Sequence, residues 1–271
     1  MSPSQRDVKP SIEDLQFLTG SFQRVLVLEA LTDGPIDRRD LREDLGISQP
    51  TTSRTLAEFE DRGWARHDGR EFRTTALGTY VADALATVLE EMRIARRLAD
   101  VVQWFPDGGF GFDLDRLATA EIVTASEGDV GAPVSHLARQ LREAEHVRSL
   151  SHGISSSLLR ASQTQTAQGD RTSRWVFGPA VLDVLRTDSE MATRARTALE
   201  SDRVEYYRYD GEVPFNVVIT DDVVNLCLTG GSGAPNAEIQ SDDPEVLAWA
   251  ESTVREYRRA ATPVSSDMLE G

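Results

Sequence analysis

The 271-residue sequence holds one cysteine, Cys227, and one lysine, Lys9. A single cysteine excludes a disulfide within the chain and any multi-cysteine zinc site. A single lysine leaves Schiff-base and P-loop chemistry without their usual residue. Histidine is also scarce. His67, His136, His146 and His152 include no pair four residues apart, so a helical metal site is not expected and no cofactor is called for. No apolar run approaches the ~18 residues that span a bilayer, and the N-terminal stretch lacks the apolar core of a secretory signal. A cytoplasmic protein with no membrane partner is the expectation.

Arginine and carboxylates are plentiful instead. All but one of the 29 basic residues are arginine, and 45 acidic residues bring the net charge to -16. Poverty in lysine beside abundant Asp and Glu is similar to the composition of proteins from salt-accumulating haloarchaea, where hydrated carboxylates keep the surface wet. An acidic protein from an Arg-rich genome is the other reading. Hydrophobic residues make up 39%, enough for packed cores, and the length suits two domains of about 150 residues.

The first hundred residues read as helices with short joints. Helices are expected over 12–19 (capped by Ser11), 22–31 (capped by Ser21), 38–45 (capped by Asp37) and from Ser48 to about 62, with Gly46 and Gly63 as stops. Two short extended pieces, 64–67 and 71–74, flank Asp68-Gly69-Arg70, a hairpin signal. One helical stripe then runs from 75 to 102. This order predicts a winged helix-turn-helix. Leu41, Leu45, Ile47, Leu56 and Phe59 would join its two central helices, and Gly46 would turn the chain between them.

The second of those helices opens with small polar side chains: Ser48, Gln49, Thr51, Thr52, Ser53, then Arg54. Short hydroxyls allow close approach to a major groove, Gln49 suits adenine, and Arg54 suits guanine or phosphate. The hairpin adds Arg66, His67, Arg70 and Arg73, placed as a wing on the backbone or minor groove. Double-stranded DNA is therefore the expected partner. Against this, window 46–76 balances five arginines with five carboxylates, whereas a basic stripe is the usual footprint of a DNA binder. That neutrality keeps a second reading open, a winged-helix protein-interaction module of a larger transcription-related assembly. In molar salt the Debye length is only ~3 Å, so a halophilic DNA binder would rely on short-range contacts.

Overall, an α+β protein is expected. It has a winged helix-turn-helix over 10–75, a linking helix over 76–103 and an α/β effector-type domain over 110–262. The long helix could pack on its own domain, seat the second domain or pair two chains, and a homodimer is the favoured reading. In the second domain, strands are expected at 121–124, 147–150, 174–177, 204–209, 216–220 and 223–229. Helices are expected at 134–145, 155–164, 179–186, 189–201 and 244–261. The stretch 162–172 and the tail after 263 read as loose, and Gly230–Gly233 as a flexible loop without a dinucleotide fingerprint.

Several strings of the chain resemble one family. They include the segment 114–125, Ala144-Glu145-His146-Val147-Arg148-Ser149-Leu150-Ser151, the tyrosine-rich segment 204–210, Pro214-Phe215-Asn216-Val217-Val218-Ile219-Thr220-Asp221-Asp222, and 242–251. Together they are similar to the archaeal two-domain winged-helix regulators named after a regulator of methanogenesis and filament formation. The resemblance implies a transcription regulator whose second domain senses a ligand or partner. That domain is also similar in outline to the effector domains of sugar-responsive archaeal regulators, which share a phospholipase-like fold. The phospholipase chemistry needs a His-x-Lys pair, which this sequence cannot supply. No convergent catalytic set is present, and an enzyme is not expected. A small-molecule effector would meet polar residues at strand ends: Ser151, Arg174, Tyr207, Tyr209, Asn216 and Asp221. Cys227 reads as a buried strand residue. A repressor is favoured, because a dimer seated on a promoter blocks polymerase without further contacts.

Overall fold

Short polar caps and helix-ending glycines set the elements of the first hundred residues. The computed structural model describes residues 5–166, 171–230 and 235–269. In chain order come α1 (Gln5–Thr19), α2 (Phe22–Thr32), β1 (Ile36–Asp37), α3 (Arg38–Leu45), α4 (Gln49–Asp61), β2 (Ala65–Asp68), β3 (Glu71–Thr74) and α5 (Ala76–Leu98). Asp37 caps α3 by accepting from the N–H groups of Arg39 and Asp40, satisfying donors that the first helical turn leaves open. Gly46 ends the helix at φ 62, a left-handed conformation that costs glycine little. Ser48 caps α4, with Pro50 in the first turn, where its missing N–H loses nothing.

The chain divides into two compact units, Met1–Arg93 and Ile94–Gly271. In the first, Val27, Leu28, Leu31, Leu41, Leu56, Phe59, Trp64 and Phe72 form a closed core. Phe17, Phe59 and Trp64 pack ring against ring at 5.8 to 6.1 Å, and the guanidinium groups of Arg24 and Arg62 lie over Phe17. Strands order as β1-β3-β2. The start of α5 is pinned beneath the hairpin. Thr75 N–H donates to the Trp64 carbonyl at 3.0 Å, its hydroxyl donates to the Gly63 carbonyl, and a Cβ on Gly78 would meet the Trp64 oxygen at 1.8 Å. Only glycine fits there.

Several expectations for this region need correction. The first helix starts at Gln5, upstream of Ser11, and passes through Pro10, whose fixed φ suits a helix although one backbone bond is lost. Ser21 is extended, but its side chain makes no cap bond. The two-residue strand β1 was not anticipated. The long helix ends at Leu98, and a 3-10 turn over Val102–Trp104 follows.

The second unit is built on an eight-stranded sheet: β4 (Glu121–Thr124), β5 (His146–Ser151), β6 (Thr172–Phe177), β7 (Val204–Arg208), β8 (Asn216–Thr220), β9 (Val223–Thr229), β10 (Pro235–Ser241) and β11 (Thr262–Pro263). Their order is β11-β7-β6-β5-β8-β9-β10-β4. The β5, β6 and β7 strands run parallel, joined by α7 (Ser156–Thr166) and by α8 (Pro179–Thr187) with α9 (Ser189–Leu199). The remaining pairings are antiparallel. Inward residues alternate. Trp175, Phe177, Val218 and Cys227 share a core with α6 (Ala132–Glu143), α7, α8 and α9. Val176, Val217, Ile219, Leu226 and Leu228 share another with α10 (Pro244–Arg259) and the segment from Ile94 to Ala120. Every residue of β8 is buried, as expected of a strand covered on both faces.

Three parts of this unit differ from the sequence expectation. The tail past Pro263 forms a 3-10 turn over Ser266–Leu269, and Leu269 is fully buried. The stretch expected to be loose begins as the last turns of α7 and ends in β6, with 167–170 outside the described residues. Of the expected glycine loop, 231–233 also lie outside them. Strand β10 was missed because its sequence, Pro-Asn-Ala-Glu-Ile-Gln-Ser, looks polar. The sheet nevertheless buries Glu238 to 1% exposure. Its Oε2 lies 3.0 Å from His136 Nδ1. Burial, reinforced by the charge of Glu121, pushes the Glu238 carboxyl up to about 8, against the opposing pull of Arg139 and a backbone N–H at Leu137. Cys227, paired with Glu238 across the ladder, is buried, and burial pushes its thiol up.

Candidate nucleic-acid interface

The α4 helix has an inward and an outward edge. Thr52, Thr55, Leu56 and Phe59 point into the core. Gln49 and Arg54 are exposed, and Thr51 and Ser53 are half-buried. Ser48 Oγ lies 2.9 Å from Thr51 Oγ1 and accepts weakly from Thr51 N–H. Thr52 was expected to reach DNA and does not. It is fully buried, and its hydroxyl donates to the Ser48 carbonyl at 3.1 Å. It braces the helix start and presents nothing outside.

The hairpin sorts its side chains in a similar way. Arg66 stands opposite Arg73 in the ladder. Arg73 donates to Asp68 at 2.7 Å and is thereby committed. His67 stacks on Phe72, ring centres 5.0 Å apart, and its Nδ1 lies 4.0 Å from Glu60. Arg38, which sequence reasoning passed over, lies over the same Phe72 ring. Its signal was faint, an arginine opening a short helix just after a cap. Arg70 occupies the two-residue turn between Asp68 and Glu71.

Ion pairs engage three of the window's five carboxylates, and among the described residues Asp61 and Glu71 have none. Arg24 engages Glu58 at 3.3 Å, His67 faces Glu60 and Arg73 holds Asp68. No ion pair or hydrogen bond among the described residues engages Arg54, Arg66 or Arg70. Asp37 keeps its charge: backbone N–H donation, first from Asp40, holds its carboxyl below the usual range. Arg54 on α4 and Arg66 and Arg70 on the hairpin thus stay unpaired among the described residues, groups able to grip phosphates and read base edges.

In the second unit the six effector candidates do not converge. Ser151 and Asn216 line a cavity of about 160 Å³ at one end of the sheet. Arg174 and Asp221 line a charged groove of about 520 Å³ with Glu145, Asp202 and Asp222. Asp221, at φ 55, is a backbone cap there, accepting from the N–H groups of Glu145 and His146. Arg174 is locked bidentately to Glu205 at 2.7 and 2.9 Å, and Tyr207 donates to the same carboxylate. That company, led by Arg174, lowers the Glu205 carboxyl to about 2. Tyr209 packs edge-on against Tyr257.

Two family models match the chain. Residues 12–97 match the HVO_A0261 N-terminal domain. Residues 130–260 match the middle domain of the methanogenesis regulatory protein FilR1. These matches support a regulator family for the chain. Among solved structures, the chain is similar to TrmBL2, an archaeal chromatin protein, at 14% identity over 94% of this chain and 100% of that one, with a TM-score of 0.40. It is also similar to Nuc, a phospholipase D family member from Salmonella typhimurium, at 11% identity over 54% of this chain and 98% of that one, TM-score 0.43. NucT from Helicobacter pylori matches at 12% identity over 54% and 99%, TM-score 0.41. No curated protein matches the chain. None of its described helices is long and apolar enough to cross a membrane.

Proposed function

We propose that the protein is a sequence-specific, DNA-binding transcription regulator of a haloarchaeon. Its first unit is a winged helix-turn-helix, with α4 as the recognition helix and the β2–β3 hairpin as the wing. Its second unit is an effector domain. One observation carries this reading: among the described residues Arg54, Arg66 and Arg70 enter no ion pair or hydrogen bond, while Arg62 and Arg73 of the same window are held by Asp14 and Asp68. The exposed stripe of Leu77 (52%), Tyr80 (73%) and Met92 (59%) along α5 supports a homodimer, since such rows rarely stay open to water. A dimer bound to two half-sites would act as a repressor by occupying the promoter.

The test is fluorescence anisotropy with promoter fragments recovered by genome-wide mapping of bound sites. The wild-type protein is expected to prefer those fragments over random duplex. An Arg54→Ala, Arg70→Ala double variant is expected to lose about 10- to 100-fold in affinity while its circular dichroism stays unchanged. With so few free cations, the log–log slope against KCl should be no steeper than about -3 per protomer. A double variant that binds as tightly as wild type would favour the protein-interaction module instead.

A further inference from the structure

The cavity beside Asn216 is lined by α6, α7, the segment 153–155 and the sheet, and opens to one side. Its wall includes Val134, Ser151, Leu158, Trp175, Asn216 and Cys227, and among the described residues no charged side chain lines it. Asn216 is only 5% exposed. Its Oδ1 accepts from the His152 N–H at 2.7 Å, which fixes the amide orientation. Asn216 lines the cavity, and among the described residues its Nδ2 has no acceptor. That amide donor is unengaged among these residues, so a group that supplies an oxygen can accept from it. Ser151 Oγ, held by Ser149 Oγ at 2.9 Å, can add a second contact.

We propose that this cavity is the effector site and that it takes a small uncharged molecule of about one ring, bearing a carbonyl-type oxygen that accepts from Asn216. The inference rests on the reading of the second unit as an effector domain. Three observations choose the ligand class. The volume, about 160 Å³, is close to that of an apolar cavity known to hold benzene, about 150 Å³. The largely carbon wall, with the Trp175 ring in it, favours an apolar body. The absence of any arginine in the lining disfavours a carboxylate, because an unpaired buried charge is expensive.

The experiment uses the full chain with three single-ring probes: benzamide, benzoate and toluene. Benzamide at millimolar concentration is expected to raise the unfolding midpoint of the second unit by roughly 2–4 °C. Toluene should bind about fivefold more weakly, lacking the acceptor, and benzoate should give no shift. Val134→Phe, which fills the cavity mouth, should abolish the benzamide shift without changing the midpoint of the free protein. Asn216→Asp, which keeps the acceptor for His152 but removes the donor, should erase the preference for benzamide over toluene. Benzoate binding as tightly as benzamide, no shift with any probe, or a shift that survives Val134→Phe would overturn the ligand class. A benzamide shift that leaves promoter affinity unchanged would overturn the effector role. A benzamide shift in a protein that binds no DNA at all would overturn the regulator reading alone.

Discussion

The sheet surface of the second unit and the helix–hairpin surface of the first use their arginines differently. In the second, Arg116 reaches Glu245 at 2.7 Å, Arg148 pairs with Glu251 and Arg174 clasps Glu205. In the first, carboxylates occupy Arg24 and Arg73, while Arg54, Arg66 and Arg70 are left to solvent. A chain with net charge -16 therefore need not carry a basic stripe to present cations. It needs only to let its acidic residues be consumed elsewhere. Counting charge along a window misses this, because what matters for binding is which guanidinium groups remain uncommitted.

This contrast can be broken or sharpened by experiment. The largest expected effect is on DNA affinity, where Arg54→Ala with Arg70→Ala should leave unfolding unchanged within about 0.5 kcal/mol. If stability fell together with binding, these arginines would belong with the paired set of the second unit. Gly78→Ala should cost the first unit about 2–4 kcal/mol, because its Cβ would collide with a backbone oxygen. The unfolding midpoint of the second unit should not move in calorimetry.

In the second unit, Glu238 titrates at about 8 when folded and near the ordinary carboxylate value when unfolded. The folded state holds this proton more tightly, so its stabilisation is complete below about pH 4.5 and is lost as pH rises towards 8. The groups around it are His136, Glu121, Arg139 and Cys227. Glu238→Gln should exceed wild type in urea stability by about 1–2 kcal/mol at pH 9 and show a flatter pH profile. Equal slopes for the two proteins would rule out Glu238 as the titrating group. The smallest effect should come from Arg174→Gln. Glu205 is depressed to about 2, so the pair stabilises above about pH 4.5 and fades as pH falls towards 2. Both side chains are more than a third exposed, so the loss at pH 7 should be about 0.5–1 kcal/mol.

The elements with strong periodicity were readable directly. The α3–α4 pair was marked by Asp37, Gly46 and Ser48, whose capping roles depend only on their neighbours in the chain. Strands β5, β6, β8 and β9 were apolar enough to declare themselves. What escaped depended on distant partners. Strand β10 hides its buried Glu238 behind a polar sequence, because His136, about a hundred positions away, is what makes that burial tolerable. Leu269 looked like part of a loose tail because nothing local shows the core it enters. The polar start of α4 was legible as a type of surface, but Thr52 was assigned to the wrong side of it. A threonine reads alike whether its hydroxyl meets solvent or a carbonyl of the preceding turn. The effector candidates scattered for a related reason. Strand-end polar residues can be caps, ion-pair members or cavity walls, and only Ser151 and Asn216 proved to be the last.

The joint between the hairpin and α5 has a mechanical consequence. With the Gly63 and Trp64 carbonyls held by Thr75 and Gly78 pressed against the Trp64 oxygen, there is no slack at this corner. Any torque applied to the first turn of α5 is handed on to β2 and β3 before it can dissipate in a flexible linker. The corner works as a rivet, so a twist of that helix re-aims the side chain of Arg66.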